Sequence, residues 1–175
     1  MADEVEILAD SRYIRLLRRG HWEYAERKNI SGIVGIVAVT DDGKLLLVEQ
    51  YRIPVVANVI ELPAGLAGDQ PGTEGEPLVE AARRELLEET GYEAREMVLL
   101  TEGPPTAGMT NEIITLFLAR GPRKVHAGGG DHTEAITVHE VPVDDAPRWL
   151  EARRAEGKLI DSRIYAGLFF LHSCS

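Results

Sequence analysis

The chain has 175 residues and a formal net charge of -10 at pH 7, and its single cysteine, Cys174, allows no internal disulfide. This length predicts one domain, the acidic excess argues against nucleic-acid binding, and the unpaired thiol is typical of a reducing cytosol. No apolar run approaches the roughly 20 residues of a membrane span, and the acidic residues 1–6 are unlike a signal peptide. We expect a soluble, cytoplasmic protein that contacts neither membranes nor nucleic acid.

The first third of the chain predicts strands. Residues 1–30 are polar with scattered apolar positions, and they indicate short strands that flank the main body. Residues 32–40 are rich in β-branched side chains, and a second apolar run covers residues 45–51. The turn residues 41–44 lie between these runs, so we expect the two strands to form a hairpin. A short strand at 59–62 follows.

The remaining elements mix helices and strands without strict alternation. A Gly- and Pro-rich loop over 66–75 precedes a helix at about 77–90, which Gly91 is well placed to end. Strands are expected at 96–101, 112–119 and 135–143. Two more helices follow, with Asp144 or Asp145 and then Ser162 as candidate caps. This order predicts an α/β fold in which helices cover both faces of a mixed sheet.

Two glutamates of the predicted helix point toward its packed side. On a helical wheel Glu85 and Glu89 project in nearly the same direction, with Glu88 on the flank. Ala81 and Ala82 lie on that side too. A glutamate-rich helix is usually a solvated surface, but solvated glutamates belong opposite the apolar stripe. Inward carboxylates need a positive partner, and oxygen ligands without Cys or His favour Mg2+ or Mn2+ over zinc.

The same residues carry a resemblance to a known family. Glu76, followed by Arg84-Glu85-Leu86-Leu87-Glu88-Glu89-Thr90-Gly91-Tyr92, resembles the signature of the Nudix hydrolases, G-x5-E-x7-R-E-U-x-E-E-x-G-U, where U is an apolar residue. The departure is Gln70, which stands where the signature has glycine. Gly65 fits the preceding Pro-Ala-Gly context instead, so the loop over 66–75 is longer than the standard one.

The resemblance implies a fold, a metal site and a reaction. The fold is the Nudix-type α/β/α sandwich over residues 31–175, preceded by a strand segment, 1–30, that forms a dimer in this subgroup. The reaction is hydrolysis of a pyrophosphate bond with Mg2+, or alternatively Mn2+. The implied metal ligands are the Ala64 carbonyl oxygen, Glu85 and Glu89, while Glu88 shares a second ion or holds the reacting water. Arg84 and Glu76 are implied to form a structural charge pair.

The general base has two candidates. In similar enzymes that cleave nucleoside diphosphate sugars it is a glutamate on a loop after the box, and Glu134 matches that position. The alternative for Glu134 is an ordinary loop acid. Residues 128–130 are all glycine, which would let this loop close over a substrate. Glu112, in a loop resembling G-x-S-D/N-E, is the rival base or a contact to a sugar hydroxyl.

Further residues indicate the substrate class. Gln50-Tyr51-Arg52 followed by Glu61-Leu62-Pro63-Ala64-Gly65 resembles a pattern of ADP-ribose and nucleotide-sugar pyrophosphatases. Arg52 is a candidate phosphate clamp, because a guanidinium group binds two phosphate oxygens at once; the alternative is a surface arginine. Glu61 reaches either the metal site or a ribose, unless it is merely a polar residue of a partly exposed strand.

Two residues near the ends of predicted strands complete the substrate site. Met109 lies in the loop that lines the site in similar enzymes, close to the terminal sugar. Trp22, or else Tyr24, supplies an aromatic ring on which a nucleobase stacks, from a segment that crosses to a partner subunit in a homodimer. A tryptophan in a small α/β protein is otherwise a core or interface residue.

Several other functions are alternatives to hydrolysis of a nucleoside diphosphate sugar. Hydrolysis of a dinucleotide or a triphosphate uses the same helix with its metal-binding glutamates. A non-catalytic nucleotide-sugar-binding module would typically lack a box glutamate, and none is missing here. Decapping of mRNA favours a basic face, and the isomerases of the superfamily need a cysteine near the sheet, where Cys174 does not lie.

We predict that Glu134→Gln lowers kcat by roughly tens-fold or more, because an amide cannot accept the proton of the attacking water. The affinity for the divalent ion should stay nearly unchanged. Steady-state kinetics and calorimetric metal titration measure the two quantities. Turnover equal to that of the wild type would remove Glu134 from the mechanism.

Overall fold

The computed structural model describes residues 4–130 and 135–173. The strands are β1 (Val5–Asp10), β2 (Ile14–Arg19), β3 (Trp22–Arg27), β4 (Gly32–Ala38), β5 (Lys44–Arg52), β6 (Ala57–Glu61), β7 (Ala64–Ala67), β8 (Tyr92–Glu93), β9 (Glu96–Gly103), β10 (Ile114–Arg120), β11 (Arg123–Lys124), β12 (Thr137–Pro142) and β13 (Leu159–Ile160). The helices are α1 (Leu78–Thr90), α2 (Ala146–Ala155) and α3 (Arg163–Ser173).

Two four-stranded sheets form the centre of the molecule. One has the order β7-β4-β10-β9 and the other the order β12-β5-β6-β13. Each sheet is mixed, because β4 pairs with β10 in parallel and β6 pairs with β13 in parallel, while the other pairs are antiparallel. The predicted mixed sheet is confirmed, although it is divided in two.

The central strand β4 is buried on both faces. Val34 and Ile36 belong to a core that includes Leu86 of α1, whereas Ile33 and Val37 belong to a second core built with α2 and α3. Successive side chains of a strand point to opposite faces, so helices cover both faces of the sheet. The α/β/α sandwich is therefore confirmed. In the described ranges no helix is long and apolar enough to cross a membrane.

The predicted hairpin over residues 32–51 is wrong. β4 and β5 belong to different sheets, and they meet only at a bridge between Val39 and Leu45. The turn itself forms as expected, with the N–H of Thr40 donating to the Lys44 carbonyl at 2.9 Å. The two edges of β4 pair with β7 and β10. β5 therefore pairs with strands of the other sheet.

Helix α1 lies where the sequence predicts it, and Gly91 ends it with a positive φ of 78°. The predicted caps of the later helices differ. Asp145 precedes α2 without a capping hydrogen bond from its side chain, because its carboxylate accepts from Arg148 instead. At α3 the carboxylate of Asp161 accepts from the Arg163 N–H at 2.8 Å, one residue before the predicted cap.

The loop predicted over 66–75 begins later than expected, because β7 extends through Ala67. Leu66 pairs with Ile33 of β4. The first strands of the chain form as predicted: β1, β2 and β3 are an antiparallel sheet. This sheet binds the loop after β9, where the Ala25 N–H donates to the Met109 carbonyl at 2.8 Å.

We predict that Gly91→Ala destabilises the protein more than Gly43→Ala does. Both glycines have φ near 77°, but a Cβ at Gly43 meets nothing within 4 Å, whereas a Cβ at Gly91 collides with the His126 carbonyl. The left-handed conformation alone costs about 1 kcal/mol, and backbone displacement at Gly91 should raise the loss to about 3 kcal/mol. Urea denaturation measures both free energies of unfolding; equal losses would contradict the close approach.

Candidate active site

A cavity of about 720 Å³ lies between α1, the connection from β6 to β7, the loop after β9 and the start of α3. The sequence-predicted site residues that line it are Arg52, Glu61, Ala64, Glu85, Glu88 and Glu112. Five charged residues that sequence reasoning did not assign to substrate or metal also line it: Arg27, Asp69, Arg84, Asp161 and Arg163. The cavity therefore gathers acidic and basic groups from distant parts of the chain.

The three carboxylates of α1 differ in their surroundings. The side chain of Glu85 is 12% exposed and that of Glu88 is 40% exposed, whereas Glu89 is buried. A carboxylate oxygen of Glu89 accepts from the Ala64 N–H at 3.0 Å. The helical wheel thus predicted the directions correctly: Glu85 and Glu89 face inward and Glu88 lies on the flank.

Arg84 stands among these acidic groups. Its guanidinium donates to both carboxylate oxygens of Glu76, at 3.2 and 3.1 Å, and to the Leu66 carbonyl at 2.8 Å. The same group donates to Glu85 at 2.8 Å and to Glu88 at 3.2 Å. The predicted pair of Arg84 and Glu76 is confirmed, and it holds the end of β7 against α1.

The environment of Glu85 disfavours the charged form of its carboxylate. Burial raises its pKa to about 7; Arg84 opposes the rise, and the nearby charges of Glu88 and Asp69 add to it. The carboxylate also lies directly against the backbone of Gly65, where any Cβ would collide with it. An alanine at this position would therefore displace the Glu85 carboxylate from its present place in the cavity.

The donor set fits a hard divalent cation. Glu85, Glu88 and Ala64 line the same cavity and offer oxygen atoms only, which suits Mg2+ or Mn2+. Within residues 4–130 and 135–173 no three His, Cys, Asp or Glu side chains converge as a preformed cage. Arg84 and the Ala64 N–H engage the three glutamates instead.

Glu112 faces the cavity in an ion pair. Its carboxylate accepts from the Nε of Arg27 on β3 at 3.0 Å, and its side chain is 17% exposed. Next to it, the Asn111 amide donates to Glu26 at 3.0 Å. The sheet of β1, β2 and β3 therefore supplies a charged residue to the cavity through Arg27.

Trp22 and Met109 do not line the cavity, although they lie close to each other. The indole N–H of Trp22 donates to the Gly108 carbonyl at 3.3 Å, and about half of the Trp22 side chain is exposed. The Met109 side chain is exposed, while its carbonyl accepts from Ala25. Their roles as substrate contacts stay predictions.

Glu134 lies outside the described residues, but the glycines that precede it are informative. The N–H groups of Gly129 and Gly130 donate to the carbonyls of Glu89 and Glu88 at 2.8 and 3.1 Å. A Cβ at Gly128 would collide with the backbone of Thr90. These glycines therefore permit close contact with the carboxyl end of α1, a reason different from the loop closure expected from the sequence.

Glu61 contacts arginines. One of its oxygens accepts from the Arg52 Nε at 2.7 Å, and the other pairs with Arg163 at 3.4 Å. Arg163 also binds Asp161. Sequence reasoning missed Arg163 and Asp161 because the segment Asp161-Ser162-Arg163 has the pattern of an ordinary helix start. It missed Arg27 because residues 1–30 carry no motif of the family.

A family model described as NUDIX domain matches residues 31–161. The chain belongs to the Nudix hydrolase family. A curated relative, the methanol dehydrogenase activator of Bacillus methanolicus, is 36% identical over 80% of this chain and 71% of its own length. The ADP-ribose pyrophosphatase of Bacillus subtilis is 36% identical over 70% of this chain, which spans 64% of that protein.

A solved structure described as an ADP compounds hydrolase shares the fold of this Nudix protein. It has a TM-score of 0.74 and covers 99% of this chain and 92% of its own, at 22% sequence identity. This similarity extends over β1, β2 and β3, because the coverage includes nearly every residue. It supports the fold alone.

We predict that Gly65→Ala weakens the binding of Mg2+ or Mn2+ by about tenfold, a loss typical of changes that misplace a metal ligand. The added Cβ would displace the Glu85 carboxylate. Gly103→Ala is the matched control, because a Cβ there meets nothing within 4 Å. Calorimetric titration measures the dissociation constants; wild-type affinity in Gly65→Ala would contradict the dependence of metal binding on the present position of the Glu85 carboxylate.

Proposed function

We propose that this Nudix protein is a metal-dependent pyrophosphatase that hydrolyses ADP-ribose or a related nucleoside diphosphate sugar. The products are a nucleoside monophosphate and a sugar phosphate. One observation carries the proposal: Glu85 and Glu88 line the same cavity as Arg52. Hydrolysis of a diphosphate needs carboxylates that hold a cation and a guanidinium group that binds phosphate. The ADP-ribose pyrophosphatase among the relatives supports this substrate class.

Nudix hydrolases generally need divalent ions, and we propose Mg2+ for this protein, with Mn2+ as the alternative. Glu85, Glu88, Glu89 and the Ala64 carbonyl are the proposed ligands. Such an ion, when bound, neutralises phosphate oxygens and lowers the pKa of a water molecule. The hydrogen bond from the Ala64 N–H to Glu89 holds the peptide group that precedes the Ala64 carbonyl, and so keeps the Ala64 backbone beside the proposed ligands.

Glu134 is the proposed general base, with Glu112 as the alternative. A base must have an oxygen available for the proton it removes. Arg27 engages one of the two Glu112 carboxylate oxygens at 3.0 Å, and this ion pair fixes the side chain at the wall of the cavity. Glu112 therefore suits a contact to a sugar hydroxyl better, and Glu134 suits the removal of the proton from water.

The two arms of the substrate extend from the diphosphate. Arg52 clamps a phosphate, and Met109 and Trp22, which lie outside the cavity lining, would contact the base or the terminal sugar. The half-exposed indole of Trp22 offers a face for stacking. Its bond to the Gly108 carbonyl holds the ring beside the loop that includes Met109.

We also propose a cytoplasmic homodimer assembled through the first three strands. This sheet exposes large apolar side chains, which favour a protein interface: Val5, Ile7, Ile14, Leu16 and Trp22. Light scattering at several concentrations tests the assembly. A monomer at the highest concentration would exclude the dimer and also the contribution of Trp22 to a partner subunit.

A substrate panel tests the proposed reaction. ADP-ribose, GDP-mannose, other nucleotide sugars, dinucleotides and nucleoside triphosphates would be incubated with Mg2+, Mn2+ or a chelator, and the products separated by chromatography. We expect a nucleoside monophosphate and a sugar phosphate from the nucleotide sugars, and no product with the chelator. If no compound turns over with any ion, the protein is a non-catalytic binding module; preference for dinucleotides or triphosphates would replace the proposed substrate.

We predict that Glu85→Gln lowers kcat by at least about 100-fold, the scale of losing one electrostatic group in an active site. Glu80→Gln is the control on the same helix, since Glu80 lies outside the cavity and is well exposed. Glu80→Gln should leave kcat unchanged. Equal activity of the two variants would contradict the metal role of Glu85.

A further inference from the structure

A buried carboxylate joins two arginines at one wall of the cavity. The Glu61 side chain is 7% exposed, and one of its oxygens accepts from the Arg52 Nε at 2.7 Å. Its other oxygen pairs with an Nη of Arg163 at 3.4 Å. Both oxygens of Glu61 are therefore engaged by guanidinium groups, which leaves this residue poorly suited to bind a metal ion or a ribose itself.

Arg163 is held from a second side by Asp161. The Arg163 Nε donates to the Asp161 carboxylate at 2.8 Å, and an Nη contacts the same oxygen. The other Asp161 oxygen accepts from the backbone N–H of Arg163 at 2.8 Å. Burial opposes the charged form, but Asp161 and Glu61 outweigh it and raise the pKa of Arg163. Its guanidinium is therefore charged and fixed in place.

Both arginines retain hydrogen-bond donors that the described residues do not use. The Nη groups of Arg52 and the Nη1 of Arg163 have no hydrogen bond to residues 4–130 or 135–173. Both side chains line the cavity that Glu85 and Glu88 also line. A guanidinium with free Nη groups binds phosphate oxygens in a fixed, often bidentate geometry.

We propose that Arg163 is a second phosphate-binding residue beside Arg52, and that Glu61 is the positioning residue that orients both. This inference rests on the proposed function and extends it, since it makes the first residue of α3 part of the substrate site. The diphosphate then lies between the two arginines and the carboxylates of α1. Two fixed guanidinium groups match the two phosphates of the substrate class.

Preorganisation explains the use of a buried glutamate for this purpose. A long arginine side chain loses rotamer entropy when it is fixed. Glu61 and Asp161 fix the guanidinium groups in the folded protein, so this loss does not recur when the substrate binds. A network that only tied α3 to β6 would not need to line the cavity or keep donors free.

The experiment compares Arg163→Gln and Arg163→Lys with Arg148→Gln, a control on α2 whose side chain is 85% exposed. With ADP-ribose and Mg2+ we expect KM to rise about tenfold to 100-fold in Arg163→Gln, the scale of hydrogen bonds to charged groups. Arg163→Lys should recover part of the loss, and Arg148→Gln should behave as the wild type. Product inhibition by AMP and by ribose 5-phosphate should weaken for one product only, which identifies the phosphate that Arg163 contacts.

Glu61→Gln tests the positioning role. It should raise KM by a similar factor. The double variant Glu61→Gln/Arg163→Gln should raise KM by much less than the product of the two single-variant increases, because both residues act through one network. Thermal unfolding is measured in parallel. Lower melting temperatures with wild-type KM values in Arg163→Gln and Arg163→Lys would show a purely structural network and overturn the inference.

Titration with ADP in the presence of chelator separates this inference from the proposed function. ADP offers a diphosphate without requiring turnover. If the wild type hydrolyses none of the compounds, the proposed function fails. Weaker ADP binding in Arg163→Lys than in Arg148→Gln would still support the role of Arg163 in phosphate binding. Equal ADP binding in these two variants overturns the role of Arg163 whether or not the wild type is active. If Arg163→Gln does not fold, Arg163→Lys alone supplies the comparison.

Discussion

One guanidinium group, that of Arg84, allows several carboxylates to stand together on and beside α1. It binds Glu76, Glu85 and Glu88 and also the carbonyl of Leu66. Without a cation among them, partly buried carboxylates repel one another and lose hydration. The same contacts join β7 to α1, so the position of the backbone around Gly65 and the position of the proposed metal ligands depend on a single side chain.

The sequence predicted what local patterns determine. Glycine, proline and the apolar period placed α1 almost to the residue, and the helical wheel gave the directions of Glu85, Glu88 and Glu89. The hairpin between β4 and β5 was wrong because a turn with good local chemistry does not decide which strands pair. Arg163 was missed for the same reason, since its contact with Glu61 joins residues that are distant in the chain.

The cavity is completed from both ends of the chain. Arg27 comes from the first sheet and meets Glu112, while Arg163 comes from the last helix and meets Glu61. The family model begins after Arg27 and ends before Arg163. Helix α1 therefore lies inside the part of the chain that the family model matches, whereas these two arginines come from elements outside that part.

The separation of β4 and β5 into two sheets has a consequence for folding during translation. Ile33 pairs with Ile114, and Glu49 pairs with Thr137, so neither strand completes its pairing with nearby sequence. Closing such distant pairs is slow, because chain entropy is lost before the contacts form. A nascent chain that ends before β12 leaves one edge of β5 open, and open apolar edges favour aggregation. The sheet that contains β5 can therefore complete its pairing only after β12 and β13 have been synthesised.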